Sequence, residues 1–237
     1  MEHNITILST RELDEAQAIR LREKGFRFDQ VPFIEMKPRT GEGLRNELKA
    51  LTGKPLLAVF TSRVGVAAVT GLLDSVPGQW QVACMGGATR TNAESFFGSE
   101  TVVLESGSAK ELGEKLQAMD SPLPVVFFAG NRRLDELPAL LQSHPAGFSE
   151  VTVYDTNETP VKLQQPYDGI LFFSPSAAQS FFSVNEAAAD TVLFAIGDTT
   201  AAAIRQLSAN KIITSPFHSP AKMIEAVLGH FAGGQLD

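Results

Sequence analysis

Hydroxyl side chains recur at the ends of short apolar runs in this sequence. Ser62 follows LLAVF, and Thr89 follows VACMGG. Ser174 and Ser176 follow GILFF, and Thr199 and Thr200 follow LFAIG. Each leads into an Ala- or Val-rich segment of helical character. Ser, Thr and Asp at such points cap helix N-termini. A turn that joins a buried strand to a helix start also presents open backbone N–H groups and hydroxyls, which suits an anionic ligand. One such turn reads as a cap and nothing more. Recurrence through the chain favours ligand contact for the set. Arg11, Arg63, Arg90 and Arg132 stand in or just after turns at the same level. The guanidinium fork matches carboxylates, although a cation beside a helix N-terminus is itself unfavourable. Tyr154 is one of two tyrosines and lies in the extended run VTVYDT. It reads either as a β-former with its hydroxyl in water, or as a neutral phenol that donates a proton or hydrogen bond.

Other chemistry lacks its signatures. There is no G-x-G-x-x-G, P-loop, H-E-x-x-H, G-x-S-x-G or cysteine pair. His3, His144, His218 and His230 are scattered, so no metal site is expected. Cys84, inside an apolar run, reads as a packing residue. One cysteine excludes an internal disulfide and points to a reducing, cytoplasmic setting. The net charge of −7 with no basic run argues against nucleic acid and anionic membrane surfaces as partners. No apolar run approaches the roughly 18 residues of a membrane span. The start, MEHNITILSTRELDE, reads as a first strand and not a signal peptide.

Along the chain, apolar strand runs alternate with helical stripes. Ile5 to Leu8, Val82 to Met85, Thr101 to Leu104, Val125 to Ala129, Val151 to Tyr154 and Ile212 to Thr214 read as strands. Leu13, Ala16 and Ile19 mark a helix capped by Ser9 or Thr10 and closed at Gly25. Leu44, Leu48 and Leu51 mark another; so do Leu112, Leu116 and Met119, and Leu134, Leu137, Leu140 and Leu141. Asp198-Thr199-Thr200 reads as the cap of a further helix. This alternation predicts α/β architecture with parallel sheets.

The chain also resembles itself. LLAVFTSRVGVAAV followed by VACMGGATRT matches GILFFSPSAAQSFF followed by LFAIGDTTAA. Ser62 aligns with Ser174, Gly86 with Gly197 and Thr89 with Thr200, at offsets of 112, 111 and 111. RELDE at 11–15 answers RRLDE at 132–136. Two similar α/β lobes follow, the first discontinuous: 1–35 plus 159–237, with 39–152 as the second. Linkers of about 36–38 and 153–158 would form a two-stranded hinge beside a cleft.

The order of these pieces is familiar. The chain resembles the uroporphyrinogen-III synthase family over nearly its whole length. The resemblance is carried by Thr10-Arg11, FTSRVGV at 60–66, GGAT at 86–89, FFAGNRRLDELPALL at 127–141, VTVYDT at 151–156, FFSPSAAQSFF at 172–182 and AIGDTTAAAI at 195–204. It implies a cytoplasmic, monomeric, cofactor-free lyase. The implied substrate is hydroxymethylbilane, a linear tetrapyrrole bearing acetate and propionate arms. The implied product is uroporphyrinogen III, made by dehydrating cyclisation with inversion of ring D through a spiro intermediate. By the same resemblance Tyr154 helps the hydroxyl leave. Ser62, Thr89, Ser174, Ser176, Thr199 and Thr200 lie near the product, and Arg11 and Arg63 meet carboxylates. Relatives often carry a larger polar residue where Gly87 stands. The alternative is a catalytically silent tetrapyrrole- or small-anion-binding module of the same fold.

Overall fold

The computed structural model describes residues 5–217 and 219–232; His3 and His218 lie outside them. In chain order the elements are β1 (Thr6–Ser9), α1 (Glu15–Glu23), β2 (Arg27–Gln30), β3 (Ile34–Pro38), α2 (Glu42–Thr52), β4 (Leu56–Phe60), α3 (Arg63–Thr70), β5 (Trp80–Met85), α4 (Ala88–Phe97) and β6 (Val102–Ser106). They continue with α5 (Ala109–Ala118), β7 (Val125–Gly130), α6 (Glu136–Leu141), β8 (Phe148–Glu158), β9 (Gly169–Phe172), α7 (Pro175–Phe182), β10 (Val192–Ala195), α8 (Asp198–Arg205), β11 (Ile212–Thr214) and α9 (Pro220–Ala232).

The chain divides into two compact units. One comprises Met1–Glu35 with Asn157–Asp237, the other Met36–Thr156. The chain passes between them inside β3 and again inside β8. The first lobe holds a sheet in the order β11-β10-β9-β1-β2. The second holds β3-β8-β7-β4-β5-β6. Reading β4 as β9, β5 as β10, β6 as β11, β7 as β1 and β8 as β2 makes the two orders coincide. That is the correspondence the internal repeat proposed. Within each of these two five-strand sets the neighbours pair in parallel.

Both sheets are covered on both faces, which explains their nearly continuous apolar strands. In the second lobe Leu56, Ala58 and Phe60 face α2, α3 and α4, packing with Leu48, Val66, Val69 and Phe97. The alternate residues Leu57 and Val59 face α5 and α6 through Leu112, Leu116, Leu137 and Leu141. In the first lobe Ile170 and Phe172 meet Ala178, Phe181 and Ile204 of α7 and α8. Ile7 and Leu171 meet Leu21 of α1 and Met223, Ile224 and Val227 of α9.

Gly169 opens β9 at the middle of the first sheet. A methyl group there would lie 2.8 Å from the Ile7 side chain and 3.2 Å from the Phe194 and Phe231 rings. Gly169→Ala is therefore expected to cost about 1–3 kcal/mol by overpacking. Urea unfolding checks this, and an unchanged midpoint would mean the strand shifts freely.

Three local expectations are corrected. The first helix is capped by Asp14, which accepts from Gln17 N–H (2.8 Å) while the Gln17 side chain returns a bond to Asp14 N–H. Ser9 and Thr10 are buried, and their hydroxyls donate to the carbonyls of Arg11 (2.6 Å) and Leu171 (2.7 Å). Leu13 thus precedes the helix, and Ile19 is exposed. Leu134 likewise precedes α6 and is exposed. The cap of α8 is Gly197, with Asp198 already helical.

Candidate functional site

The second lobe places Ser62 and Tyr154 together. β4 is a fully buried strand whose chain turns at Ser62 into α3. The Ser62 hydroxyl accepts the Val64 N–H (3.2 Å) and so caps the helix. Tyr154 comes from β8. Along β7 and β8 the register runs Phe128 to Val151 and Ala129 to Thr152, then jumps to Gly130 with Tyr154. Val153 is the extra residue of a β-bulge, a device that re-aims a side chain. Val153 and Tyr154 consequently pack on the same core cluster although they are neighbours in sequence.

The bulge is pinned from three sides. Arg39 N–H donates to the Val153 carbonyl (2.8 Å), and Asn131 N–H donates to the Tyr154 carbonyl (3.1 Å). Thr156 N–H donates to Asn131 Oδ1 (2.8 Å). Beside it, the Arg39 guanidinium grips Asp155 with two bonds of 2.7 and 3.0 Å and holds that carboxyl below its ordinary value.

The Tyr154 ring lies against two glycines. A methyl on Gly130 would stand 2.5 Å from Cζ and 2.9 Å from the phenol oxygen. One on Gly65 would stand 3.6 Å from Cε1 and 3.2 Å from the Phe128 carbonyl oxygen. Burial pushes the phenol above its ordinary value, and the nearby Ser62 hydroxyl and Gly130 N–H act in the opposite direction. The result is a half-buried phenol that is protonated at neutral pH.

Elsewhere on this rim the residues fare differently. Arg63 is exposed at the first position of α3. Thr89 sits in the first turn of α4 but is buried, at 7% exposure. Arg90 is occupied by Glu94 (2.7 Å) and by a short bond to Glu105, so it is a poor anion receptor. Gly87 precedes α4 as its N-cap, with a φ of 66° that few side chains adopt, and the first N–H groups of the helix have no side-chain cap. Cys84 is fully buried. Burial first, then the Glu105 charge, pushes its thiol up to about 11, which keeps it inert.

The first lobe builds an equivalent rim from β1, β9 and β10. The Arg11 guanidinium lies over the Phe173 ring, 4.0 Å from its centroid. Ser174 caps α7, accepting from Ala177 N–H (3.1 Å), and Pro175 occupies the first helical position. Ser176 is half-buried in that first turn. Thr199 is exposed at the start of α8, whereas Thr200 is buried at 1% exposure. The N-terminus of α8, like that of α4, has no side-chain cap. Thr89 and Thr200, equivalent in the repeat, thus lie beneath their rims. The donors left open above them are backbone N–H groups.

The residues that sequence reasoning missed are Gly65, Gly130 and Asn131. In the sequence GNR reads only as a turn. A glycine ending a strand, opposite a tyrosine-bearing run, is the available signal. Among the described residues no group of three or more His, Cys, Asp or Glu is placed to hold a metal. No described helix is long and apolar enough to cross a membrane.

The family model described as uroporphyrinogen-III synthase HemD matches residues 15–225. Comparison with curated proteins finds no match. Among solved structures, the fold is similar to that of uroporphyrinogen-III synthetase from Helicobacter pylori, with TM-score 0.67 and 15% identity, covering 95% of this chain and 99% of that one. It is also similar to a mutant uroporphyrinogen III synthase from the extremely thermophilic bacterium Thermus thermophilus, with TM-score 0.66 and 15% identity, covering 98% and 100%.

Proposed function

The chain belongs to the uroporphyrinogen-III synthase family, the cyclising lyases of tetrapyrrole biosynthesis, and from that premise we propose how its own residues divide the work. Tyr154 is the acid. Its phenol passes a proton to the departing hydroxyl of hydroxymethylbilane, and the C–O bond breaks with release of water. The pyrrole nitrogen lone pair takes up the positive charge, leaving an azafulvene-type electrophile. Attack from the substituted position of ring D gives a spiro intermediate, which fragments and recloses with the ring inverted. The proton lost at reclosure returns to the phenolate.

The observation that carries this reading is the bulged Tyr154, protonated at neutral pH and held beside Ser62 at a helix start. No strong base or nucleophile is required, because an electron-rich pyrrole drives the departure. What the protein supplies is one proton and a fixed geometry. Each ~1.4 kcal/mol of preference for the productive pose of ring D changes the isomer ratio tenfold.

The carboxylate partners in this reading are Arg11, Ser174, Ser176, Thr199 and the uncapped start of α8 in the first lobe. In the second they are Ser62, Arg63 and the uncapped start of α4. Backbone N–H groups carry no net charge, so they let an acidic chain bind a polyanion. Thr89 and Thr200 support these helix starts from below. The reading includes action as a cytoplasmic monomer without a resident cofactor; the single, fully buried cysteine supports only the reducing compartment.

The test is to feed hydroxymethylbilane and separate the products by chromatography. Isomer III is expected. Isomer I alone would identify a silent binder and end this reading.

A further inference from the structure

An ion pair of the protein's own sits at the start of α4. Arg90 stands in the first turn of that helix. Its Nε donates to Glu94 Oε1 (2.7 Å), one turn on, and its Nη1 makes a short bond to Glu105 Oε2. Glu105 comes from β6, where it pairs with Cys84 of β5. Its other oxygen, Oε1, reaches the open face of Gly86, the residue before the N-cap. A methyl on Gly86 would collide with that oxygen and stand 3.4 Å from Glu105 Cδ. The first N–H groups of the helix carry no side-chain cap. The equivalent rim of the first lobe lacks the pair. The repeat puts Ala201 where Arg90 stands, and Thr214, paired with Ala195, where Glu105 stands. The acid in the first turn of α8, Asp198, is exposed and caps nothing.

We infer that Glu105 withholds Arg90 from the substrate: its carboxylate occupies the place at the start of α4 that an acetate or propionate arm takes on binding. This deepens the reading of that helix start as a carboxylate subsite, and rests on it. Arg90 is a poor anion receptor only while both acids hold it, and their holds differ. Glu94 lies four residues on in the same helix and bonds to Nε, so it steers the guanidinium. Glu105 reaches Nη1 from another strand. The Arg90 and Glu105 side chains are 42% and 37% exposed, and ion pairs so open to water are weak. An arm brings the same carboxylate chemistry together with the contacts of the rest of the substrate, so it displaces Glu105. Arg90 then meets the arm while Nε stays on Glu94, and the helix N–H groups share the charge. The exchange is one carboxylate for another, with no covalent bond broken and no proton moved. Its cost falls equally on bound substrate and transition state, so it appears in KM and not in the chemical step.

Glu105→Gln keeps the shape of the side chain and removes its charge. KM for hydroxymethylbilane is expected to fall about fivefold, the upper range for one exposed ion pair, with the change in KM rather than kcat. Glu105→Thr, the residue the first lobe carries at this place, should show the same fall. Glu47→Gln, exposed on α2, changes the net charge equally and is expected to leave KM at the wild-type value. Arg90→Gln added to Glu105→Gln should cancel the gain, because Glu105 acts through that guanidinium. A KM at or above wild type in both Glu105 variants overturns the inference. So does an equal fall in Glu47→Gln, which would make the effect one of overall charge, or a gain that survives the loss of Arg90. Each of these results leaves the proposed reaction standing, since that is judged by isomer III from the wild-type protein. Isomer I alone from wild type would remove that reading, and this inference with it.

Discussion

Tyr154→Phe is expected to lower kcat about 100-fold, with KM nearly unchanged and isomer III still the product. The substitution removes one oxygen and leaves the ring in its slot along Gly65 and Gly130. Binding of the acidic arms is therefore retained, and so is the pose that selects the isomer. What is lost, in the proposed mechanism, is proton donation, which contributes typically 10²–10⁴-fold. The low end applies, because the pyrrole nitrogen supplies most of the driving force and water can substitute poorly as acid.

The pH dependence follows from the direction of the phenol's displacement. Burial raises Tyr154 above the ordinary tyrosine value of 10.0. In the proposed mechanism the active form is the protonated one. Its fraction stays near unity through neutral and mildly alkaline pH, then falls only as pH passes that raised value. A basic limb of kcat near neutrality would have to come from another group. Stopped assays with chromatographic separation give both rate and isomer, and wild-type turnover in Tyr154→Phe would remove the acid from the mechanism.

Gly130→Ala is expected to be comparably damaging, although it touches no reacting atom. Its methyl would intrude on Cζ and on the phenol oxygen, 2.5 and 2.9 Å away. The ring cannot simply retreat, since Gly65 bounds the other edge. It must swing out of its slot, away from the Ser62 hydroxyl. About 100-fold in kcat is expected, with about 1–3 kcal/mol of overpacking in the second lobe. The double variant with Tyr154→Phe gives the decisive comparison. If Gly130 acts through the phenol, the combined loss stays close to that of either single change. Fully multiplicative losses would show that Gly130 matters for another reason.

Much of the fold was legible in the residues. The apolar runs LLAVF and GILFF are strands buried on both faces, and the helix stripes of α2 and α5 face the core. The repeat also anticipated the common strand order of the two sheets. Errors gathered at helix starts. Asp14 outcompeted Ser9 and Thr10 as a cap because it forms a reciprocal pair with Gln17, while those hydroxyls are spent on carbonyls under the sheet. Arg90 shows the same limit. Glu94, one helical turn on, was visible in the sequence; Glu105, on the next strand, was not.

The chain by itself determined its family, its two α/β lobes and the hydroxyl-rich strand ends, because strand and helix periodicity, capping and turn chemistry are properties of neighbouring residues. Only the tertiary structure decided which hydroxyls stay at the surface, since Thr89 and Thr200 are buried. It alone decided that Tyr154 turns toward Ser62 and Gly130. A bulge is a mismatch in count between two paired strands, and the missing Cβ of Gly130 matters only through the ring that fills its place. Both are relations between segments far apart in the chain, set when β7 and β8 dock.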